Sequence, residues 1–149
     1  MPPSPFTLRA VTARDYTWLW HLKRLTMRPY VEQTWGSWDD LAQERFFRQH
    51  FSAETIQIIV ADGRDAGLLN IEREPQELFL ANIQIHPDFQ GRGLGSAVVE
   101  SVLASASALH LSVRLQVLKV NPRARDLYLR LGFTLYGDTL THFLLRHSP

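Results

Sequence analysis

Between residues 85 and 99 the chain reads IHPDFQGRGLGSAVV, with Gly91, Gly93 and Gly95 alternating just ahead of an apolar run. Glycine costs about 1 kcal/mol against alanine inside a helix. Three glycines at a helix entry therefore limit what the segment can be. It is a tight strand-to-helix turn, or a loop whose bare backbone is approached by another group. At a helix start, unpaired N–H groups and the positive end of the dipole favour an anion, typically a phosphate. A Walker loop requires Gly-Lys-Ser or Gly-Lys-Thr, whereas Gly95 is followed by Ser96 with no lysine. A dinucleotide fingerprint requires G-x-G-x-x-G and an acid about 20 residues on. Here the spacing is G-x-G-x-G, and the next strand, SVRLQVLKV, carries no acid.

The surroundings of the loop predict a mixed α/β (α+β) domain. FTLRAVT reads as a first strand behind a short flexible lead, MPPSP. A helix is expected over residues 12–36, with Thr12 and Asp15 placed as a capping box and Leu19, Leu22 and Leu25 on one face. Pro29 should end or kink it. Trp18 and Trp20 lie two apart, so one should be core and the other partly exposed. A second helix follows in SWDDLAQERFFRQHF, with Ser37 as N-cap and Leu41, Phe46 and Phe47 as its buried side. TIQIIVADG, AGLLNIERE and ELFLANIQIH form an antiparallel meander, turned at Asp62-Gly63 and Pro75-Gln76. After the glycine loop come a helix, a strand, a helix in NPRARDLYLRLGF and two short strands. Asn121 suits the N-cap of that last helix, Pro122 its first position and Gly132 its end. The order is β-α-α-β-β-β-α-β-α-β-β, the size and pattern of one domain over residues 1–149.

Composition removes several classes of function. The formal net charge is +1, which gives no basic excess for nucleic acid. There is no cysteine, so thiolate zinc sites and cysteine nucleophiles are excluded. The histidines show no metal-ligand spacing, and His86 beside Pro87 reads as structural. No apolar run approaches the length of a membrane span and no secretory signal is visible, so a soluble, cytoplasmic protein is expected.

QGRGLG and NPRARDLYLRLGF together resemble the GCN5-related N-acetyltransferase (GNAT) superfamily. The first matches its Q/R-x-x-G-x-G/A loop through Gln90, Gly93 and Gly95. The second matches N-x-x-A-x-x-x-Y-x-x-x-G-F through Asn121, Ala124, Tyr128, Gly132 and Phe133. The resemblance implies a mostly antiparallel sheet flanked by helices, and acetyl transfer from acetyl-CoA to a primary amine by direct attack in a ternary complex. It implies that Gln90, Gly91, Arg92, Gly93, Leu94, Gly95 and Ser96 hold the pyrophosphate. Arg92 adds charge there or points to solvent. The backbone of Ile83, Gln84 and Ile85 would pair with the pantetheine arm. Asn121 would contact the cofactor, cap its helix, or both. Arg123 and Arg125 would reach the 3′-phosphate or face solvent. Tyr128 would be the general acid, since a neutral phenol is a proton donor at pH 7.

The base is left open. Gln116 stands where the ribosomal-protein acetyltransferase branch has a glutamate, and neither it nor Asn82 takes a proton. Glu72 or Glu32, working through water, is the expected base, with Glu74 as a third candidate. A substrate amine arriving neutral would need none. The acceptor region is MRPYVEQTWGSWDD, where Tyr30, Glu32 and Trp35, near Trp38 and Asp39, would hold a cationic amine on ring faces and carboxylates. The other reading there is that the tryptophans cap the core and the acids are solvated. The alternative to an enzyme is a non-catalytic acyl-CoA-binding sensor or partner module, and a homodimer is left open.

Overall fold

The computed structural model describes residues 5–149; the expected lead falls outside them except for Pro5. The elements run β1 Thr7–Ala10, a 3-10 turn Ala13–Asp15, α1 Tyr16–Trp35, α2 Asp40–His50, β2 Ile56–Ala61, β3 Arg64–Arg73 and β4 Glu77–Ile85. They continue through a 3-10 turn Pro87–Phe89, α3 Leu94–Ala108, β5 Ser112–Leu118, α4 Pro122–Arg130, β6 Thr134–Asp138 and β7 His142–His147. This is the mixed α/β order the sequence predicts.

The strands form one sheet, ordered β1-β2-β3-β4-β5-β7-β6. Every neighbouring pair is antiparallel except β4 and β5. Asp62 and Gly63 both take positive φ, 54° and 71°, as the tight β2–β3 turn requires. Period-two alternation divides the side chains between the two sheet faces. Leu94, Val98, Val99 and Val102 of α3 pack with Leu69, Leu80, Val113, Leu115 and Leu145 in one core. Leu19, Trp20 and Leu22 of α1 and Phe47 of α2 pack with Ile56, Ile58 and Leu68 in another. Trp20 is core and Trp18, half-buried, stacks on His86 at 6.4 Å, the division expected of that pair.

Four helix details differ from the sequence reading. Helix α1 does not end at Pro29 but continues to Trp35. Proline removes one N–H donor, to the carbonyl of Leu25, and Leu25 is exposed, so water can replace it. Leu25 therefore is not part of the buried face with Leu19 and Leu22. Helix α2 starts later than expected: Asp39, not Ser37, is its N-cap, its carboxylate accepting from Ala42 N–H at 3.2 Å. Leu41 and Phe46 are exposed and only Phe47 of that trio is core.

The feature that positions the site is a fork. β4 and β5 pair only at Glu77–Ser112, Leu78–Val113 and Phe79–Arg114. On its other edge β4 slips register against β3: Leu80 faces Ile71 and Asn82 faces Asn70, leaving Ala81 as an extra residue. Such a bulge bends the strand that carries it. Beyond Phe79, β4 has no β5 partner, and the two strands part toward Ile85.

Candidate functional site

A cleft of about 620 Å³ occupies the fork. β4 contributes Leu80 to Ile83 and β5 contributes Leu115 to Leu118. From α1 come Lys23, Met27, Val31 and Trp35, a single stripe at four-residue spacing. Asn121 and Tyr128 of the α4 segment and His142 of β7 also line it.

The glycine loop lies at the open end of the fork, where β4 ends. Gly91 and Gly93 have φ of 79° and 78°, and Gly93 is the N-cap of α3. The first helical bond runs from Ala97 N–H to Gly93 O at 3.0 Å, so the N–H groups of Leu94, Gly95 and Ser96 precede the ladder. Gly95 is different from its neighbours. Its φ is unremarkable, and a Cβ there would meet only Ile85 Cγ1 at 3.9 Å, an ordinary contact. The protein itself has no use for the missing methyl group, so the bare position fits a bound group lying against the backbone. Unpaired N–H donors at a helix start fit the pyrophosphate of CoA.

Other expected loop contacts are engaged within the protein. Gln90 Nε2 donates to Ile85 O at 2.8 Å, tying the loop to the end of β4. Arg92 pairs with Asp62 at 3.0 Å and lies over Phe89. The Leu94 side chain is buried, leaving its N–H as the available group. Ile83 lines the cleft, while the Gln84 side chain is 4% exposed and lies on the same face as Leu68.

On the opposite wall, Asn121 Oδ1 caps α4 by accepting from Ala124 N–H at 3.2 Å. Arg123 is exposed, and Arg125 is turned to Asp126 at 3.2 Å. Tyr128 is 8% exposed, set edge-on against Phe133 at 5.6 Å. Burial pushes its phenol up to about 12, so it stays protonated throughout the neutral range.

A model of the Acetyltransferase (GNAT) family matches residues 16–133. The chain belongs to that family. In sequence it is 38% identical over 64 residues to the 5-NmdU N-acetyltransferase of Pseudomonas phage PaMx11, covering 43% of this chain and 44% of that protein. The chain thus spans less than half of that curated relative. In structure it is similar to the PaiA N-acetyltransferase of Thermoplasma acidophilum in complex with coenzyme A, with a TM-score of 0.74 and 17% identity over 97% of this chain and 99% of that one. It is also similar to the ribosomal-protein-S18-alanine N-acetyltransferase of Escherichia coli, with a TM-score of 0.73 and 18% identity over 97% and 94%. At these identities the likeness is of fold.

Within this GNAT fold the expected acceptor and base residues divide. Trp35 lines the cleft, but Tyr30 and Glu32 lie outside it. They flank Val31, each about 100° around the helix from the cleft-facing stripe. Glu32 is exposed and pairs with Arg28 at 3.4 Å. Glu72 is exposed on β3 and Glu74 is held by Arg114; neither lines the cleft. Trp38 stacks on Trp20 at 6.0 Å and donates to Asp40 at 2.6 Å, which is the core-capping reading.

The cleft adds two residues to which sequence reasoning gave no role. His142 faces Leu118 across β5 and β7, and its Nδ1 is 2.7 Å from Thr141 Oγ1. Burial lowers its pKa from the ordinary 6.5, so the imidazole is neutral at pH 7. Lys23 sits beneath the rings of α2, 5.0 Å from the Phe46 centroid. Neither carries a local signal: His142 arrives through strand order, and Lys23 through the four-residue stripe it shares with Met27, Val31 and Trp35 on α1.

Proposed function

We propose that this GNAT protein is an acetyl-CoA-dependent N-acetyltransferase acting on a primary amine of a small molecule or peptide by direct attack in a ternary complex. The observation that carries the reading is Gly95, bare without steric need, at the end of a strand edge left unpaired by the Ala81 bulge. Bound acetyl-CoA supplies the acetyl group as a thioester. The chain's own groups then have separable tasks. The N–H groups of Leu94, Gly95 and Ser96 bind the pyrophosphate. The free edge of β4 beyond the bulge pairs with the pantetheine arm and offers N–H groups to a developing oxyanion. Tyr128 Oη holds a proton and donates it to the leaving sulfur.

For the base we turn from Glu32 and Glu72 to His142. It lines the same cleft, is unprotonated at neutral pH, and has one ring nitrogen left beyond its contact with Thr141. It takes the proton from the acceptor amine directly or through one water. The cytoplasmic setting of the sequence reading is retained as part of this proposal.

Calorimetry and a thiol-release assay over an amine panel test the reading. Saturable heat with acetyl-CoA and amine-dependent thiol release are expected. A folded sample without saturable heat overturns it. Heat with no release from any amine leaves an acyl-CoA-binding module instead.

A further inference from the structure

The charges of the cleft are one-sided. None of its lining residues is an aspartate or a glutamate, while Lys23 carries a cation on the α1 wall. The acids that the sequence places nearby are engaged elsewhere. Glu32 pairs with Arg28 at 3.4 Å, Asp39 caps α2, and Asp40 pairs with Arg24 at 3.5 Å and accepts from Trp38. Among the described residues Lys23 has no carboxylate within 4.0 Å. Its ammonium is instead held 5.0 Å from the Phe46 ring centroid and 5.9 Å from that of Phe47. Burial lowers its pKa from the ordinary 10.5. A partly desolvated ammonium without an anion is an unfavourable arrangement unless a partner arrives. The rest of the α1 stripe, Met27, Val31 and Trp35, is apolar.

A polycationic acceptor would set a second ammonium against Lys23 with no carboxylate to receive it, and like charges across an interface are costly. An anion gains at the same point. Resting on the acetyltransferase reading above, we propose that the acceptor is a primary amine that also carries a carboxylate and an apolar body, an amino acid with an apolar side chain, with Lys23 binding the carboxylate. The amine then lies toward the fork, where Asn82, Gln116 and His142 line the cleft. Met27, Val31 and Trp35 take the side chain.

The test compares leucine and phenylalanine with their amides and with spermidine, by thiol release. In parallel, direct titration compares N-acetylleucine with N-acetylleucinamide on the CoA-loaded protein. The carboxylates should exceed the amides by roughly tenfold in kcat/KM and in affinity, the range of one hydrogen bond to a charged group. Lys23→Met should bring that ratio near one, Lys23→Arg should keep it, and Lys23→Glu should turn preference toward the amide and spermidine. Amides or spermidine preferred by the native protein overturn the inference. So does Lys23→Met lowering carboxylates and amides equally, which marks a structural lysine, or acetylation of Lys23 itself seen by intact mass. Absence of acetyl-CoA binding would fall on the broader reading. N-acetylleucine titrated without CoA still reads the carboxylate preference in that case, and equal binding of acid and amide overturns it.

Discussion

Arg114 Nε lies 3.2 Å from Glu77 Oε1, across the short stretch in which β4 and β5 pair. The same guanidinium holds Glu74 and stacks on Phe79 at 4.0 Å, and Arg146 approaches the other Glu77 oxygen at 3.4 Å. Ion pairs and ring stacking thus tie the closed end of the fork across three strands, while the Ala81 bulge opens the other end. Arg114 and Glu77 are both mostly buried. Arg114→Met should therefore destabilise the fold by roughly 1–3 kcal/mol, between the surface and buried limits for ion pairs. Urea unfolding measures it, and a loss near zero would show that the fork needs no clamp.

Tyr128 tests the acid. Tyr128→Phe removes only the hydroxyl and leaves the ring against Phe133. Turnover should fall by roughly 100-fold, the low end for general acid catalysis, with acetyl-CoA affinity within about threefold of the native value. Because burial pushes the phenol up to about 12, ionisation of Tyr128 should produce no loss of rate below about pH 10. Steady-state kinetics with calorimetry separates these terms, and an unchanged kcat removes Tyr128 from the mechanism.

His142 predicts the acidic limb of the rate profile. Its pKa in the fold lies below 6.5 because burial disfavours the imidazolium. The base form is therefore lost as pH falls through that lowered value. Activity should rise with pH to a plateau reached by about pH 7. His142→Asn should lower kcat and abolish that limb. A limb surviving in the variant assigns it to another group.

The element order was readable because its signals are local. Asp62-Gly63 marked a turn that needs positive φ, and Asn121, Pro122 and Gly132 bracketed α4. The glycine loop was legible as a strand-to-helix entry, with Gly91 and Gly93 at positive φ. The fork did not announce itself: ELFLANIQI contains nothing that marks Ala81 as a bulge, since a register slip depends on the partner strand. Gly67 was equally silent, though a Cβ there would collide with the Gln84 carbonyl. The α1 wall of the cleft was not legible as a wall in the sequence. The expected helix over residues 12–36 already holds Lys23, Met27, Val31 and Trp35, but the sequence reading does not follow their four-residue spacing and takes Tyr30 and Glu32 beside that stripe instead.

Asp15 predicts acid sensitivity away from the site. Its carboxylate accepts from Arg9 at 2.8 and 3.0 Å and from Thr12 N–H at 2.8 Å, the capping pattern expected of Thr12 and Asp15. These bonds, Arg9 first, hold it down at about 2 against an ordinary 3.8. A depressed carboxylate stabilises the fold above its unfolded value and loses that contribution as pH falls from about 4 to about 2. Asp15→Asn should cost roughly 1–2 kcal/mol at pH 7, less than the full shift implies because Arg9 is partly solvated. The difference from the native protein should shrink toward pH 2. Thermal unfolding across that window checks it, and a pH-independent difference would assign the effect to packing.

Gly95 separates stability from binding. Its Cβ would make only an ordinary contact with Ile85, and it lies in the first turn of α3 at a backbone angle alanine adopts. Gly95→Ala should therefore leave the ligand-free protein as stable as before, or more stable by up to about 1 kcal/mol, since alanine loses less backbone freedom. The same methyl group would stand where the pyrophosphate approaches the loop. Acetyl-CoA affinity should fall by at least roughly tenfold, which is about 1.4 kcal/mol of lost binding. Thermal unfolding and calorimetry on one preparation read both quantities. A variant that binds acetyl-CoA normally would show that the loop is only a turn, and that the cofactor meets the fork without it.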